Sequence, residues 1–274
     1  MTTTLRPLEP LRQNSDGTRS RRYQVCVNSR PVGEIHLGTS PSFGDSVARV
    51  IDLRIDEPDR RRGRGTVAAL AAEEVARGWG CTQIETVVPA SADIALRLFG
   101  ALGYTLRNRG MQKRLGTTPP ELPPGSSARR MTEAEFDAWH AYESEEYSRL
   151  WIERGVPEVT ARAKARSDHE RLLPHGLATD GMLFSVLEHE GTRVGTLWVA
   201  LQDGRAYVFD VKTEAAHRGR GHGRTLMLLA ERQAIEAGRP LLGLNVHAGN
   251  APAERLYESL GYETTLRSLS KPLL

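Results

Sequence analysis

Little in this sequence points to redox, metal or membrane chemistry. Among its 274 residues only two are cysteine, Cys26 and Cys81, both in the first half. That usage suits a reducing cytoplasm, although sequence leaves a single Cys26–Cys81 bridge open. No segment approaches the roughly 18 consecutive apolar residues a membrane span needs. The opening run Met1-Thr2-Thr3-Thr4-Leu5-Arg6-Pro7 lacks the apolar centre of a signal peptide. Neither histidines nor cysteines recur at metal-ligand spacing; His217 and His222 flank arginines instead. No glycine loop runs into Gly-Lys-Ser/Thr, so a Mg²⁺-bound nucleoside triphosphate is not implied, and the dinucleotide fingerprint G-x-G-x-x-G is missing. With 39% hydrophobic and 26% charged residues, the composition is that of a globular chain. The expectation is a cytoplasmic protein with no metal and no membrane segment.

Charge of either sign is nearly balanced, at a net +3. The excess is local: Pro58-Asp59-Arg60-Arg61-Arg62-Gly63-Arg64-Gly65 carries four arginines. No aromatics interleave with them and the run sits on a glycine loop, so nucleic acid is not the expected partner.

What the sequence does have is a long internal repeat. Arg60 to Gly65 reappears as Arg218-Gly219-Arg220-Gly221-His222-Gly223, at an offset of 158 residues. The same offset carries Asp52 onto Asp210, Leu98 onto Leu256, Gly103-Tyr104 onto Gly261-Tyr262 and Lys113 onto Lys271. A repeat this long is a duplicated domain rather than a solenoid unit. Between the halves, Thr117 to Ser127 contains four prolines, which disfavour helix and ladder alike. The expected domains are residues 1–116 and 128–274, joined by a linker at 117–127.

Each half reads as mixed α/β. Strands are predicted at 23–27, 31–37, 48–55, 182–188, 193–200 and 205–212, with turns at Asn28-Ser29-Arg30 and Glu190-Gly191-Thr192. A helix follows each arginine–glycine loop, at 66–77 and 224–237, and stops at Gly78 or Gly238. A short apolar strand and a second helix come next. The second half also opens with a helical stretch, 131–154, that has no clear counterpart in the first.

The loop 218–224 joins a strand to a helix. Its glycines let successive N–H groups converge, and the helix terminus and Arg218, Arg220 and Arg224 add positive charge, which makes an anion site sized for a pyrophosphate. A glycine-rich turn with solvated arginines is the other reading. The second motif is Asn250-Ala251-Pro252-Ala253-Glu254-Arg255-Leu256-Tyr257, ending at Gly261-Tyr262. Asn250 suits a helix N-cap, Pro252 the first turn, and Tyr257 projects near the preceding strand's end.

Arg-x-x-Gly-x-Gly at 218–223 followed by Asn-x-x-Ala-x-x-Leu-Tyr-x-x-x-Gly-Tyr at 250–262 resembles the GCN5-related N-acetyltransferase (GNAT) superfamily. The resemblance covers about 145 residues of the second half; the first half shares fold and glycine loop only. It implies an α/β (α+β) fold: two GNAT-like domains, each a mixed, mostly antiparallel sheet flanked by helices, with a splayed central strand. It also implies an acetyl-CoA-dependent N-acetyltransferase. Arg218, Gly219, Arg220, Gly221, His222, Gly223 and Arg224 would bind the pyrophosphate, the Val211 and Thr213 backbone would pair with the pantetheine arm, and Asn250 would contact it. Tyr257 would protonate the departing thiolate, which a phenol of ordinary pKa near ~10 can do.

Asp210 is the candidate general base, but Asp52 holds the equivalent place, so a structural role is equally open. In the first half Ala92 replaces Asn250 and Phe99 replaces Tyr257. Arg60, Gly63 and Gly65 persist there, so an anion site is expected without the acid: a degenerate domain that binds CoA, braces its neighbour or shapes the acceptor cleft. Glu143, Glu145, Glu146, Tyr147 and Trp151 suggest a cationic acceptor, a small-molecule primary amine. A peptide or protein amine is the alternative acceptor, and a non-catalytic CoA-binding sensor the alternative function. Oligomeric state leaves no mark in the sequence.

Overall fold

A computed structural model describes residues 3–41, 43–153 and 156–273. The first half supplies β1 (Thr3–Pro7), β2 (Arg12–Gln13), β3 (Arg19–Val27), β4 (Arg30–Ser40), β5 (Gly44–Ile55), α1 (Arg64–Gly78), β6 (Gln83–Pro89), α2 (Asp93–Ala101) and β7 (Thr105–Arg114). The second supplies β8 (Ser126–Arg130), α3 (Glu133–Ile152), α4 (Glu158–Leu172), β9 (Met182–His189), β10 (Thr192–Gln202) and β11 (Arg205–Thr213). It ends with α5 (His222–Glu236), β12 (Leu241–His247), α6 (Ala251–Ser259) and β13 (Glu263–Pro272). The expected end of α3 at Arg154 lies outside the described residues.

Local chemistry sets several boundaries. Thr132 accepts from the Glu135 N–H while the Glu135 carboxylate accepts from the Thr132 N–H, a capping box that starts α3. The β3–β4 turn holds Asn28 and Ser29 at φ 47° and 69°, and the β9–β10 turn holds Glu190 and Gly191 at 50° and 73°, as two-residue hairpins require.

Two compact units emerge, and they do not follow the boundary read from the sequence. Unit 1 comprises Met1–Gly110, Val246–Asn250 and Thr264–Leu274; unit 2 comprises Met111–Asn245 and Ala251–Glu263. In unit 1 the strand order is β1-β3-β4-β5-β6-β13. β13 runs antiparallel to β6, with Leu266 opposite Pro89 and Pro272 opposite Gln83. The end of β7 belongs to unit 2, where the Leu115 N–H donates to Pro240 O at 2.8 Å. Each half of the sequence thus gives its closing strand segment to the other unit. The division at 1–116, 117–127 and 128–274 misses this because β7 and β13 are repeats of each other, and a repeat cannot report which copy pairs where. β8 also begins at Ser126, inside the expected linker.

In unit 2 the order is β12-β11-β10-β9-β8. β11 and β12 are parallel, but their pairing covers only Ala206–Val208 against Leu242–Leu244. Beyond Val208 the strands part. In unit 1, β5 and β6 pair only from Val47/Gln83 to Val50/Thr86. Both sheets therefore have the expected splay.

The units differ in what covers the sheet. In unit 2, Phe136 and Trp139 of α3 pack with Phe184 and Trp198 from the strands. In unit 1 no helix precedes β5 among the described residues, and Arg22, Glu34 and Asp52 on the strands are exposed. A charged face needs no cover, whereas an aromatic one does.

Candidate active site

The arginine–glycine loop lies between β11 and α5. Gly219 and Gly221 have φ of 76° and 88°, left-handed values that glycine adopts at little cost. A Cβ at either position would meet open space, so the backbone there can be approached closely. The turn delivers His222 and Gly223 as the first residues of α5, whose leading N–H groups lack intrahelical acceptors. That is the geometry of an anion cradle. Arg218 Nε donates to Thr213 O at 3.4 Å, and Arg60 Nε makes the same contact to Ile55 O at 2.8 Å. These two arginines tie loop to strand. Arg220 is exposed, and Arg224 donates to Ser259 Oγ at 2.5 Å. Gly223 and Gly65 serve helix contact: a Cβ would meet Leu256 at 3.3 Å and Leu98 at 3.0 Å.

His222 is buried, with its ring 5.1 Å from that of His189 and 6.2 Å from that of His217. Burial, then the two neighbouring histidines and Arg220, hold it below the ordinary imidazole value. In unit 1 its counterpart Arg64 pairs with buried Asp59, which also takes Arg30 at 2.7 Å. The unit 1 loop lines a cleft of about 960 Å³ that includes Arg60, Gly63, Gly65, Ala92 and Phe99.

Tyr257 is buried on α6, its ring 6.1 Å from Tyr262. Phe99 is buried on α2, 4.9 Å from Tyr104, at nearly the same interplanar angle, 65° against 60°. The two rings pack alike, so packing alone does not require the hydroxyl. Burial, then the charge of Asp210, pushes the Tyr257 phenol up to about 12. Val211 and Thr213 lie beyond the end of the β12 ladder, on the free stretch of β11. Asn250 sits in the turn before α6, its N–H donating to His247 O at 3.2 Å. It falls in the segment grouped with unit 1, and α6, which starts at the next residue, with unit 2.

Asp210 and Asp52 are the sharpest contrast. Each sits opposite the same position of its neighbouring strand, Trp198 or His36, beside an irregularity in register. Asp52 is open to water, its side chain 61% exposed. Asp210 accepts a hydrogen bond from Trp139 Nε1 at 3.2 Å, among the rings of Trp198 and Phe209, and burial raises its carboxyl above the ordinary value. Shared identity in the repeat therefore does not mean a shared environment.

The acidic patch on α3 divides. Glu145 forms a two-pronged pair with Arg162, Tyr147 donates to Asp168 at 3.0 Å, and Glu146 pairs with Arg149. Glu145 and Tyr147 are thus engaged with α4. The α3 carboxylate that feels the Asp210 charge is Glu143: burial, then that charge, pushes it up to about 8. Sequence reasoning grouped Glu143 with a surface patch and missed Trp139. The signal was the four-residue step from Trp139 to Glu143, which places both on one helix face.

Comparison with known proteins agrees with this geometry. The profile of the acetyltransferase (GNAT) family matches residues 3–104 and again 131–262. The chain belongs to the GNAT family. It is an acyltransferase of the N-acetyltransferase type, built as a tandem of two GNAT domains. An uncharacterized N-acetyltransferase of Bacillus subtilis (strain 168) is 28% identical over 149 residues, covering 52% of this chain and 95% of the relative. A mycothiol acetyltransferase of Thermomonospora curvata is 27% identical over 260 residues, covering 89% and 79%. A GCN5-related N-acetyltransferase structure from Sphaerobacter thermophilus matches with a TM-score of 0.57 and 22% identity, over 92% of this chain and 80% of that one. A tandem GNAT protein from the clavulanic acid biosynthesis pathway matches at 0.53 and 20%, over 94% and 84%. These two likenesses concern the fold.

Proposed function

We propose that the protein transfers the acetyl group of acetyl-CoA to a primary amine of a small molecule, and that unit 2 carries the chemistry. The observation behind this reading is the contrast between the repeats. Tyr257 and Phe99 pack alike, but only Tyr257 has a hydroxyl. Asp210 and Asp52 share a strand position, but only Asp210 is half-buried and takes a hydrogen bond from an indole, while Asp52 is open to water. A relative covering most of the chain is named for mycothiol, a small molecule, which favours that acceptor class over a protein.

In this reading the α5 loop holds the pyrophosphate and the free stretch of β11 pairs with the pantetheine arm, which brings the thioester to Tyr257. The acceptor enters as an ammonium against Trp139, Trp198 and the carboxylates, a setting that favours a cation. It must lose one proton to attack. The carboxylates of β11 and α3 take that proton, the C–N bond forms, the C–S bond breaks, and Tyr257 protonates the thiolate. A second N–H proton then leaves the new amide nitrogen and restores Tyr257. The Asp210 charge raises the Tyr257 phenol, so neutralising the carboxylate site makes Tyr257 a stronger acid when the thiolate departs. Unit 1 keeps its basic cleft and binds CoA without turnover.

The test is a panel of amines incubated with the full chain and acetyl-CoA, read by thiol release and product mass. Acetylation of a small amine supports the reading. Acetylation of peptide N-termini alone moves the acceptor class. CoA binding with no turnover of any amine leaves a sensor.

A further inference from the structure

The two arginine–glycine loops are backed by equivalent positions with different chemistry. Behind the unit 1 loop, buried Asp59 pairs with Arg64 and, through both oxygens, with Arg30 at 2.7 and 2.9 Å. The repeat offset carries Asp59 onto His217 and Arg64 onto His222. The third group comes from the end of the equivalent hairpin. Arg30 pairs with Val27 across β3 and β4, and His189 pairs with Thr192 across β9 and β10. Unit 2 thus has three imidazoles where unit 1 has an ion triad. The His222 ring lies 5.1 Å from that of His189 and 6.2 Å from that of His217.

The two sets differ in what they do with a proton. The unit 1 triad keeps its charges at any pH near neutral, because arginine does not release its proton there. The unit 2 set gains or loses charge around the ordinary imidazole value, near ~6.5. The charged and titratable groups acting on His222 are His189 from β9, His217 from the short turn after β11 and Arg220 from the loop, all basic. His222 is also the first residue of α5, where the helix dipole opposes a cation. Each of these disfavours a proton on the buried ring. An anion at the loop reverses the balance, because opposite charge nearby favours the protonated form. His189 can accommodate either state. Ser126 Oγ lies 3.0 Å from its Nδ1, and a hydroxyl donates to a bare ring nitrogen or accepts from a protonated one.

We propose that His189, His217 and His222 form a proton-binding site coupled to the loop: a pyrophosphate bound there draws protons onto the imidazoles. This rests on the reading of the loop as the pyrophosphate site. Protons pass from solvent to the ring nitrogens as the ligand binds, and return to solvent when it leaves. His222 is the central member, since the other two rings flank it and its own residue opens α5. Affinity for CoA at unit 2 is therefore highest at acid pH and falls as pH rises through the imidazole range. Below the midpoint of the free protein the site is protonated with or without ligand. Above the midpoint of the complex it is neutral in both, so the fall is confined between the two. Unit 1, with its permanent ion triad, has no such window.

Two measurements test it on the full chain carrying Arg60→Ala and Gly63→Asp, which confines CoA to unit 2. The first is NMR of the histidine ring C–H groups across pH, with signals identified by their loss in His189→Gln, His217→Gln and His222→Gln. The His222 midpoint is expected below ~6.5 without CoA and at least about one unit higher at saturation. The second is titration calorimetry of CoA from pH 5.5 to 8, in pairs of buffers that differ in ionisation enthalpy. A shift of about one unit gives net proton uptake and about a tenfold loss of affinity across the series. The 3′-phosphate of CoA titrates in every form, so the deciding quantity is the difference from His222→Gln, in which most of the uptake disappears. Should His222→Gln not fold, His217→Gln, at a half-buried position, reports the same coupling as a smaller loss. Histidine midpoints that stay put on CoA saturation overturn the proposal. So does equal uptake in the parent and both variants. No CoA binding at unit 2 at any pH is a separate outcome, which overturns the pyrophosphate reading and the proposal with it.

Discussion

Lys271 Nζ lies 2.7 Å from Glu73 Oε2, 198 residues away in sequence, and Lys113 Nζ lies 2.7 Å from Glu231 Oε1. Both lysines and both glutamates are related by the repeat offset, so each lysine serves the glutamate of the other half. The lysines also lie over Tyr104 and Tyr262, at 5.8 and 5.7 Å. Glu73 and Glu231 are buried, and a buried carboxylate needs a fixed partner.

Lys271→Met therefore strands a carboxylate in the core of unit 1. Losing one partner of a buried pair costs about 3–5 kcal/mol; the partial exposure of Lys271 places it toward the low end. Hydrogen exchange should accelerate in α1 and β6 and stay unchanged in α5. A fragment of residues 1–116 lacks β13 and should not reach the fold that unit 1 has in the full chain. A folded fragment with native-like protection in β6 would contradict the strand assignment.

Asp52→Asn and Asp210→Asn form a matched pair. The exposed Asp52 should change stability by no more than about 0.5 kcal/mol, with thiol release unaffected. Asp210→Asn should depress thiol release at neutral pH while the circular dichroism spectrum is preserved. Equal losses in the two variants would mean that the shared aspartate is structural in both units.

Much of this was legible in the sequence. The repeat, both loops, the hairpin turns and the Tyr257/Phe99 difference follow from local patterns: glycines where φ must be positive, and apolar residues at helical spacing. Three things were not. α4, rich in arginine and other charged residues, buries only Ala161, Ala165 and His169, too thin a stripe to detect. The pairing of β13 with β6 is long-range and symmetric with its repeat. Glu143 depends on which face of α3 meets β11, and Trp139 shows this only once the strand is beside it.

Stability should also carry the mark of Glu143. Its carboxyl binds a proton more tightly in the fold than in the unfolded chain, where glutamate titrates near ~4.3. The contribution is thus fully present at acid pH and lost as pH rises toward and through about 8. Glu143→Gln should flatten the fall in Tm between pH 5 and 9 and be the more stable form at the alkaline end. At roughly 2–4 °C for each kcal/mol in a domain of this size, the crossing is measurable by scanning calorimetry. Parallel curves for both proteins would show that Glu143 titrates normally.

Gly221→Asp places a carboxylate where the α5 loop converges its N–H groups. Titration calorimetry with CoA should lose the binding assigned to unit 2 and retain that of the unit 1 cleft. Unchanged stoichiometry and affinity would remove the loop from the binding site.

The most direct test compares turnover of the full chain in three forms: wild type, Tyr257→Phe, and Arg60→Ala with Gly63→Asp. With the best amine and saturating acetyl-CoA, Tyr257→Phe should lose roughly 10²–10⁴-fold in thiol release, as expected for a missing general acid, with its fold intact. The unit 1 variant should keep most of its rate. The reverse pattern, with Tyr257→Phe active and the Arg60/Gly63 variant dead, would place the chemistry in unit 1.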